Sequence, residues 1–320
     1  MMRRLEQLTF GAMGTACSAT VTMGARDAWS AERALAAGRA EVAACERALS
    51  RFVPGSDLSR LNAAAGEWVT VDPRLVAALA AALDARDATA GRYDPTVLPA
   101  LIAAGYDRSF EQLRPRLPLP LDGWRAGAAI ELDRAARRAR IEPGTAVDLG
   151  GIGKGFAAAR AVAAMLQAWP LMPGALVDLG GDLAVRGCAP DDGPWRIAVA
   201  DPHVPGARVA ILEVSAGGVA TSGRNRRRFG PGKRMHHLID PATGAPAGPG
   251  PLAVTVAAPD AAEAEAHSTA LAITPVADAR AYIGARPWLA AVIVPHDGAP
   301  FRAGTTETAR TFDLREGVPA

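Results

Sequence analysis

The sequence predicts an α+β protein, built of mostly antiparallel sheets with helices packed on them. From Ala128 onward, short strand-like runs follow one another at hairpin spacing. Helical patterns interrupt those runs only at 152–168, 260–272 and 275–285. Such runs, broken by a few helices, differ from the strict alternation of a parallel βαβ chain. With 320 residues, 49% hydrophobic and 21% charged, the chain can bury a full core, and its composition is that of a folded protein.

In order, "CSATVTM" (17–23) alternates like a strand, and "SAERALAAGRAEVAACERALSRF" (30–52) reads as an amphipathic helix with Ser30 as its N-cap. A turn-rich piece leads to a second helix over 73–89, which Gly91 and Pro95 of "GRYDPTVLPAL" end. The Pro-rich "RPRLPLPLDGW" (114–124) reads as a surface excursion too short to divide the chain, so residues 1–320 are expected to form one unit. The strands that follow are "AIEL", "RARIE", "GALVDLG", "DLAVRG", "WRIAVA", "VAILEV", "GVATSG", "MHHLID" and finally "LAAVIVP".

A net charge of +2 gives no nucleic-acid footprint over the surface. Cys17, Cys45 and Cys188 lie far apart, with neither metal-ligand spacing nor the even number a disulfide framework needs. No apolar run of secretory type follows the first arginines, and no segment approaches the ~18 apolar residues of a membrane helix. The expectation is a cytoplasmic protein with no integral membrane segment.

Chemistry is suggested by "AVDLGGIGKGFAAARA" (146–161), a glycine turn running into a helix. It fails as a Walker A loop, because Asp148 takes the place of the first glycine and Gly155 that of the Ser/Thr. It fails as a dinucleotide fingerprint on the spacing of Gly151, Gly153 and Gly155. A glycine turn at a helix N-terminus still favours an anion, with Lys154 adding a point charge, while Asp148 suits a donor or a cation. A tight strand-to-helix connection capped by Asp148 explains the segment equally well. "VDLGG" occurs at both Val147 and Val177, which is either two glycine turns placed side by side or a coincidence.

"HHLIDPATG" (236–244) puts two histidines before an Asp-Pro turn; on a strand they point to opposite faces, so one at most enters a given pocket. "EAEAHSTA" (263–270) sets Glu265 and Thr269 at i and i+4, either an oxygen half-site for a hard cation or the polar face of a helix start. "TSGRNRRRFGPGKR" (221–234) gathers six basic residues, either a pyrophosphate clamp or a solvated loop.

Taken in order, "AMGT", "LSRFVPGSDLSRLN", "GRYDPTVLPAL", "VDLGGIGKGFAA", "LVDLGGDLAVRG", "VATSG", "HHLIDPATGAP" and "AEAHSTALAI" resemble the FAD:protein FMN transferases, the ApbE-type flavin transferase family. The resemblance implies an ApbE-like fold and a Mg²⁺-dependent enzyme. That enzyme splits FAD, attaches FMN to a Ser or Thr hydroxyl of an acceptor flavoprotein and releases AMP. It implies that Met13 and Phe52 sit beside the flavin, and that Arg92, Tyr93 and Asp94 form the adenine-side segment. Asp148 then hydrogen-bonds FAD, Lys154 is the family's lysine, and Ile239 is a cofactor contact. Mg²⁺ is held by the Gly151 carbonyl, Glu265 and Thr269, and His237 is the base on the incoming hydroxyl, near the ordinary histidine pKa of ~6.5.

Two positions depart from the family pattern. Glu265 replaces an aspartate, so its carboxylate must fold back or the metal must shift. Arg224 and Asn225 replace an Asp-Tyr pair on the substrate side, where the arginines after Ser222 are expected to absorb phosphate charge. Besides transfer, a FAD pyrophosphatase yielding FMN and AMP, or a non-catalytic FAD-binding protein with a weakened metal site, fits the same residues.

Overall fold

An eight-stranded, wholly antiparallel sheet forms the centre of the molecule. Its strands are Arg4–Ala12, Thr15–Met23, Gly174–Leu179, Asp182–Gly187, Ala216–Gly223, Ala253–Ala258, Ala290–Val294 and Phe301–Ala303, lying side by side in that order. The structure, a computed structural model, describes residues 3–114, 116–224, 228–233, 235–305 and 309–312.

The seven α-helices are α1 (Ala28–Leu49), α2 (Asp57–Ala63), α3 (Pro73–Ala88), α4 (Leu98–Ala104), α5 (Gly153–Ala168), α6 (Ala261–Ala272) and α7 (Ala279–Gly284) among the described residues. Starts are set locally. Asp72 accepts from Arg74 N–H ahead of Pro73 in α3, and Asp260 accepts from the Ala262 and Glu263 N–H groups of α6. The expected Ser30 cap of α1 is incorrect, because the helix already runs from Ala28. Its flanking residue, Asp27, gives its carboxylate to Gly24 N–H at 2.9 Å instead of to the helix.

Alternate residues of the sheet enter two different cores, as a pleated strand requires. Ala184, Ala220, Val254, Val256 and Ile293 join the cluster shared with α1, α5 and α6. Leu183, Val219, Ala253, Ala257, Val292 and Val294 meet Trp195, Val199 and Leu212 of a second sheet, in which Trp195–Ala200, Arg208–Val214 and Ala309–Phe312 pair. The protein is therefore layered as helices, large sheet and small sheet. Behind the helical layer, Glu41 of α1 joins Arg74 of α3 at 2.7 Å and Arg160 of α5 at 2.6 Å. Helices α5 and α6 cross so closely that a Cβ at Gly155 would lie 2.1 Å from the Ala261 carbonyl oxygen.

Several local expectations give way. "MHHLID" is two short strands, Met235–His236 and Ile239–Asp240, on different partners. The last helix is only α7, preceded by a 3₁₀ turn at Val276–Asp278. The Pro-rich excursion leaves Leu117 and Leu119 exposed, yet Leu121 and Trp124 anchor it against a third cluster with Leu98, Leu101, Tyr106, Phe229 and Ile239. No described helix is long and apolar enough to cross a membrane.

Candidate functional site

Two adjoining cavities, of about 320 Å³ and 270 Å³, open where the ends of the sheet strands meet the N-terminus of α5 and the third cluster. The first is lined by Arg92, Tyr93, Asp94, Gly151, His237, Ile239, Glu265 and Thr269. Phe52, Asp148 and Lys154 line both, and Met13 lines the second. The structure thus brings together all twelve residues singled out from the sequence, although they span positions 13 to 269.

The glycine turns build the walls. "VDLGG" at Val147 and "VDLGG" at Val177 do lie at one cavity, lined by Gly150, Gly151 and Gly180. Gly180 has a φ of +75°, and a Cβ there would come 2.4 Å from Thr15 Oγ1, so only glycine admits the neighbouring hairpin. That hairpin turns through Met13 (φ 51°) and Gly14 (φ 68°). A left-handed methionine costs about 1 kcal/mol. The bond from Met13 N–H to Glu46 Oε1 at 2.7 Å helps hold it.

A buried charge cluster sits at the N-terminus of α5. Lys154 Nζ donates to Asp182 and, at 2.7 Å, to Glu265 Oε1, while Gly155 N–H donates to Glu265 Oε2 at 2.7 Å. The anion place at this helix end is therefore filled by the chain's own Glu265, and the two glutamate oxygens both have donors. Burial, with the Asp182 charge beside it, outweighs the pull of Lys154 and raises the Glu265 pKa to about 7. Burial works to lower the Lys154 pKa, but the two carboxylates outweigh it and hold it above its ordinary value. Thr269 lies beside Gly151, where an added Cβ would be 3.0 Å from Thr269 Oγ1 and 3.1 Å from Tyr93 Cε2.

Other side chains divide into those facing the cavity and those holding its frame. The Asp94 carboxylate accepts from Thr96 N–H, Thr96 Oγ1 and Gly127 N–H, each at 2.7 Å, so it fixes two loops around the cavity. Tyr93 has a buried hydroxyl without a hydrogen-bond partner among the described residues. Its pKa is well above the ordinary value through burial, then the nearby Asp148 and Glu265 charges. His237 lines the cavity and His236 does not; His236 is buried with Nε2 at 3.2 Å from the Ala247 carbonyl. Asp148 accepts from Gly150 N–H at 2.7 Å and pairs with Arg51 at 2.5 Å.

The expectation that Arg224 absorbs phosphate charge is overturned. Its guanidinium donates to the Ala272 carbonyl at the end of α6 (3.2 and 3.3 Å) and to the Ala247 carbonyl (3.5 Å). Asn225, Arg226, Arg227 and Arg234 of the same basic segment lie outside the described residues. Sequence reasoning missed Arg51, Tyr106 and Asp182, which all line the first cavity. Only Asp182 carried a signal, as the residue after the second "VDLGG".

The sequence profile of the ApbE family matches residues 13–293, a span that includes every residue of this site. The chain belongs to the ApbE family. It is 31% identical over 232 residues to the FAD:protein FMN transferase of Salmonella typhimurium, covering 70% of this chain and 65% of that protein. With the FAD:protein FMN transferase of Treponema pallidum it shares 31% identity over 291 residues, 84% of this chain and 79% of the relative. The ApbE protein of Thermotoga maritima superposes with a TM-score of 0.79 at 28% identity, over 94% of this chain and 97% of that one. The flavin transferase ApbE of Vibrio cholerae shares the fold at a TM-score of 0.78 and 23% identity, covering 94% and 97%. The expected α+β, ApbE-like fold is thus borne out.

Proposed function

We propose that this chain, acting as one unit over residues 1–320, cleaves FAD and transfers FMN to a Ser or Thr hydroxyl of an acceptor protein, releasing AMP. The observation that carries the reading is the assembly of His237, Lys154, Asp148, Glu265 and Thr269 around one cavity in an ApbE-family chain. Relatives named FAD:protein FMN transferase support the substrate. The three cysteines are free, which supports a reducing, cytoplasmic setting.

A Mg²⁺ ion fits the donors present. Among the described residues no three His, Cys, Asp or Glu side chains converge; the family resemblance would put the ion on the Gly151 carbonyl, the Thr269 hydroxyl and the Glu265 carboxylate, and Thr269 does lie beside Gly151. All three are hard oxygen donors. Two buried carboxylates, Asp182 and Glu265, face one ammonium, so with both ionised the cluster carries one net negative charge that a cation would offset. When bound, Mg²⁺ supplies charge neutralisation at the pyrophosphate oxygens.

The chain's own residues do the rest. The acceptor hydroxyl oxygen attacks the FMN-side phosphorus, the bond from that phosphorus to the bridging oxygen breaks, and AMP leaves with that oxygen. His237, which lines the cavity, takes the hydroxyl proton. Met13 and Phe52 hold the flavin end, while Arg92 and Tyr93 hold the adenine end and Ile239 is a further cofactor contact. Asp94 keeps the adenine-side loops in place through its bonds to Thr96 and Gly127.

The test is to incubate the purified chain with FAD, Mg²⁺ and a candidate acceptor, then look by mass spectrometry for FMN on a Ser or Thr. FMN and AMP released without acceptor labelling would make the chain a pyrophosphatase.

A further inference from the structure

We propose that Arg51 is a fixed phosphate anchor: its guanidinium binds the pyrophosphate of the dinucleotide where the two cavities meet, and Asp148 acts through it as a positioning residue. The inference rests on the flavin-transfer reading for the identity of the ligand, but the anchor is argued from the geometry of this chain.

A dinucleotide has ring systems at both ends and its charge in the middle, and a site of two adjoining cavities takes one end in each. The charged side chains that line both cavities are Arg51, Asp148 and Lys154. These three therefore face the middle of such a ligand. Lys154 is already bonded to Asp182 and Glu265. Asp148 alone would repel phosphate. Arg51 changes the sign of the problem, because its Nε lies 2.5 Å from Asp148 Oδ2 and neutralises it.

The guanidinium also has donors to spare. Nη2 donates to the Tyr106 carbonyl at 3.1 Å and Nε faces Asp148, while Nη1 makes no hydrogen bond to a described residue. A planar fork of this kind suits two oxygens of a phosphate.

Its position is set before any ligand arrives. The guanidinium carbon stands 4.1 Å from the Phe52 ring centre and 4.8 Å from that of Tyr106. Tyr106 in turn stacks on Phe229 with centroids 5.6 Å apart. The Arg51 side chain is only 6% exposed. A long side chain held in this way has already lost the rotamer freedom that binding would otherwise cost. Asp148 has an equally fixed place, with Oδ1 on Gly150 N–H at 2.7 Å. Both of its oxygens thus serve the chain, and its effect on the ligand passes through Arg51.

Binding of FAD, riboflavin and ADP would be measured by flavin fluorescence and calorimetry, in EDTA, at low and high KCl. The proteins are the native chain, Arg51→Met, Arg51→Lys, Asp148→Asn and the Met/Asn double variant. Arg51→Met should bind FAD and ADP at least tenfold more weakly, bind riboflavin within twofold of the native chain, and lose part of the salt dependence. Arg51→Lys, which keeps the charge but not the fork, should fall between the two. The double variant should be no weaker than Arg51→Met alone.

FAD affinity unchanged within twofold in Arg51→Met would overturn the proposal, and so would tighter FAD binding or an equal loss for riboflavin. If Arg51→Met melts several degrees lower, Arg51→Lys decides: a threefold or greater loss for FAD with riboflavin unchanged supports the anchor, and unchanged FAD overturns it. A native chain that binds ADP through Arg51 but ignores flavins would sink the flavin reading and leave the anchor standing. Binding of none of the probes overturns both.

Discussion

Shortening Glu265 to aspartate should weaken the empty protein and strengthen its response to Mg²⁺. In the structure Glu265 Oε1 accepts from Lys154 Nζ at 2.7 Å and Oε2 from Gly155 N–H at 2.7 Å. Removing one methylene draws the carboxylate back by about one C–C bond, ~1.5 Å, beyond hydrogen-bonding reach of both donors. Hydrogen bonds to a charged group are worth about 1.5–3 kcal/mol each. Lys154 keeps Asp182 as its partner, so a total loss of about 3 kcal/mol is expected rather than the upper sum. For a chain of 320 residues that is a fall of about 4–5 °C in Tm. The retracted carboxylate is then free to face Gly151 and Thr269, and a tenfold gain in Mg²⁺ affinity adds about 1.4 kcal/mol at saturation. Thermal unfolding in EDTA and across a Mg²⁺ titration reads both effects, and AMP release gives the half-maximal Mg²⁺ concentration. Glu265→Ala should lose the Mg²⁺ response altogether. The reasoning fails if Glu265→Asp melts with the native protein and its Mg²⁺ response is unchanged.

Two further outcomes are expected. His237→Ala should lower FMN transfer by about 10²–10⁴-fold while leaving FAD affinity within twofold, whereas His236→Ala, whose side chain lies outside the cavity, should keep transfer; an exchange of these phenotypes in a transfer assay would refute the base assignment. Burial, helped by Arg286, lowers the His267 pKa to about 4, with its Nδ1 at 2.7 Å from the Tyr282 hydroxyl and its Nε2 at 3.8 Å from Glu263. The unfolded chain therefore takes up the proton first, so stability is full above the unfolded value of ~6.5 and falls as pH drops toward 4, by about 2 kcal/mol between pH 7 and pH 5. Urea unfolding at the two pH values should show this loss, reduced by that amount in His267→Gln; an unchanged pH dependence in the variant would show that His267 is not its source.

The legible part of this protein was the part written locally. Gly91 and Pro95 marked the end of α3, and the ordered motifs named side chains that converge although they lie far apart in the chain. What escaped was written only in three dimensions. Strand Ala253–Ala258 lies mid-sheet, with Val254 and Val256 in one core and Ala253 and Ala257 in the other, so its "AVTVAA" shows no alternation of apolar and polar residues. Strand Arg4–Ala12 escaped for the opposite reason: at the sheet edge it is mostly exposed, and no buried face stamps a pattern on it. Arg51 reads from the sequence as part of the helix over 30–52, whereas α1 ends at Leu49 and leaves Arg51 beyond it. Its burial depends on Tyr106 and on Phe229 behind it, both remote in sequence. Glu265 shows the limit most sharply. The spacing to Thr269 was legible, and so was the extra methylene. Which donors that methylene would reach was not, because Lys154 and Gly155 become its neighbours only when α5 and α6 cross at the contact Gly155 permits. A motif can therefore name the residues of a site, while the partners each one takes are decided by how closely the elements pack.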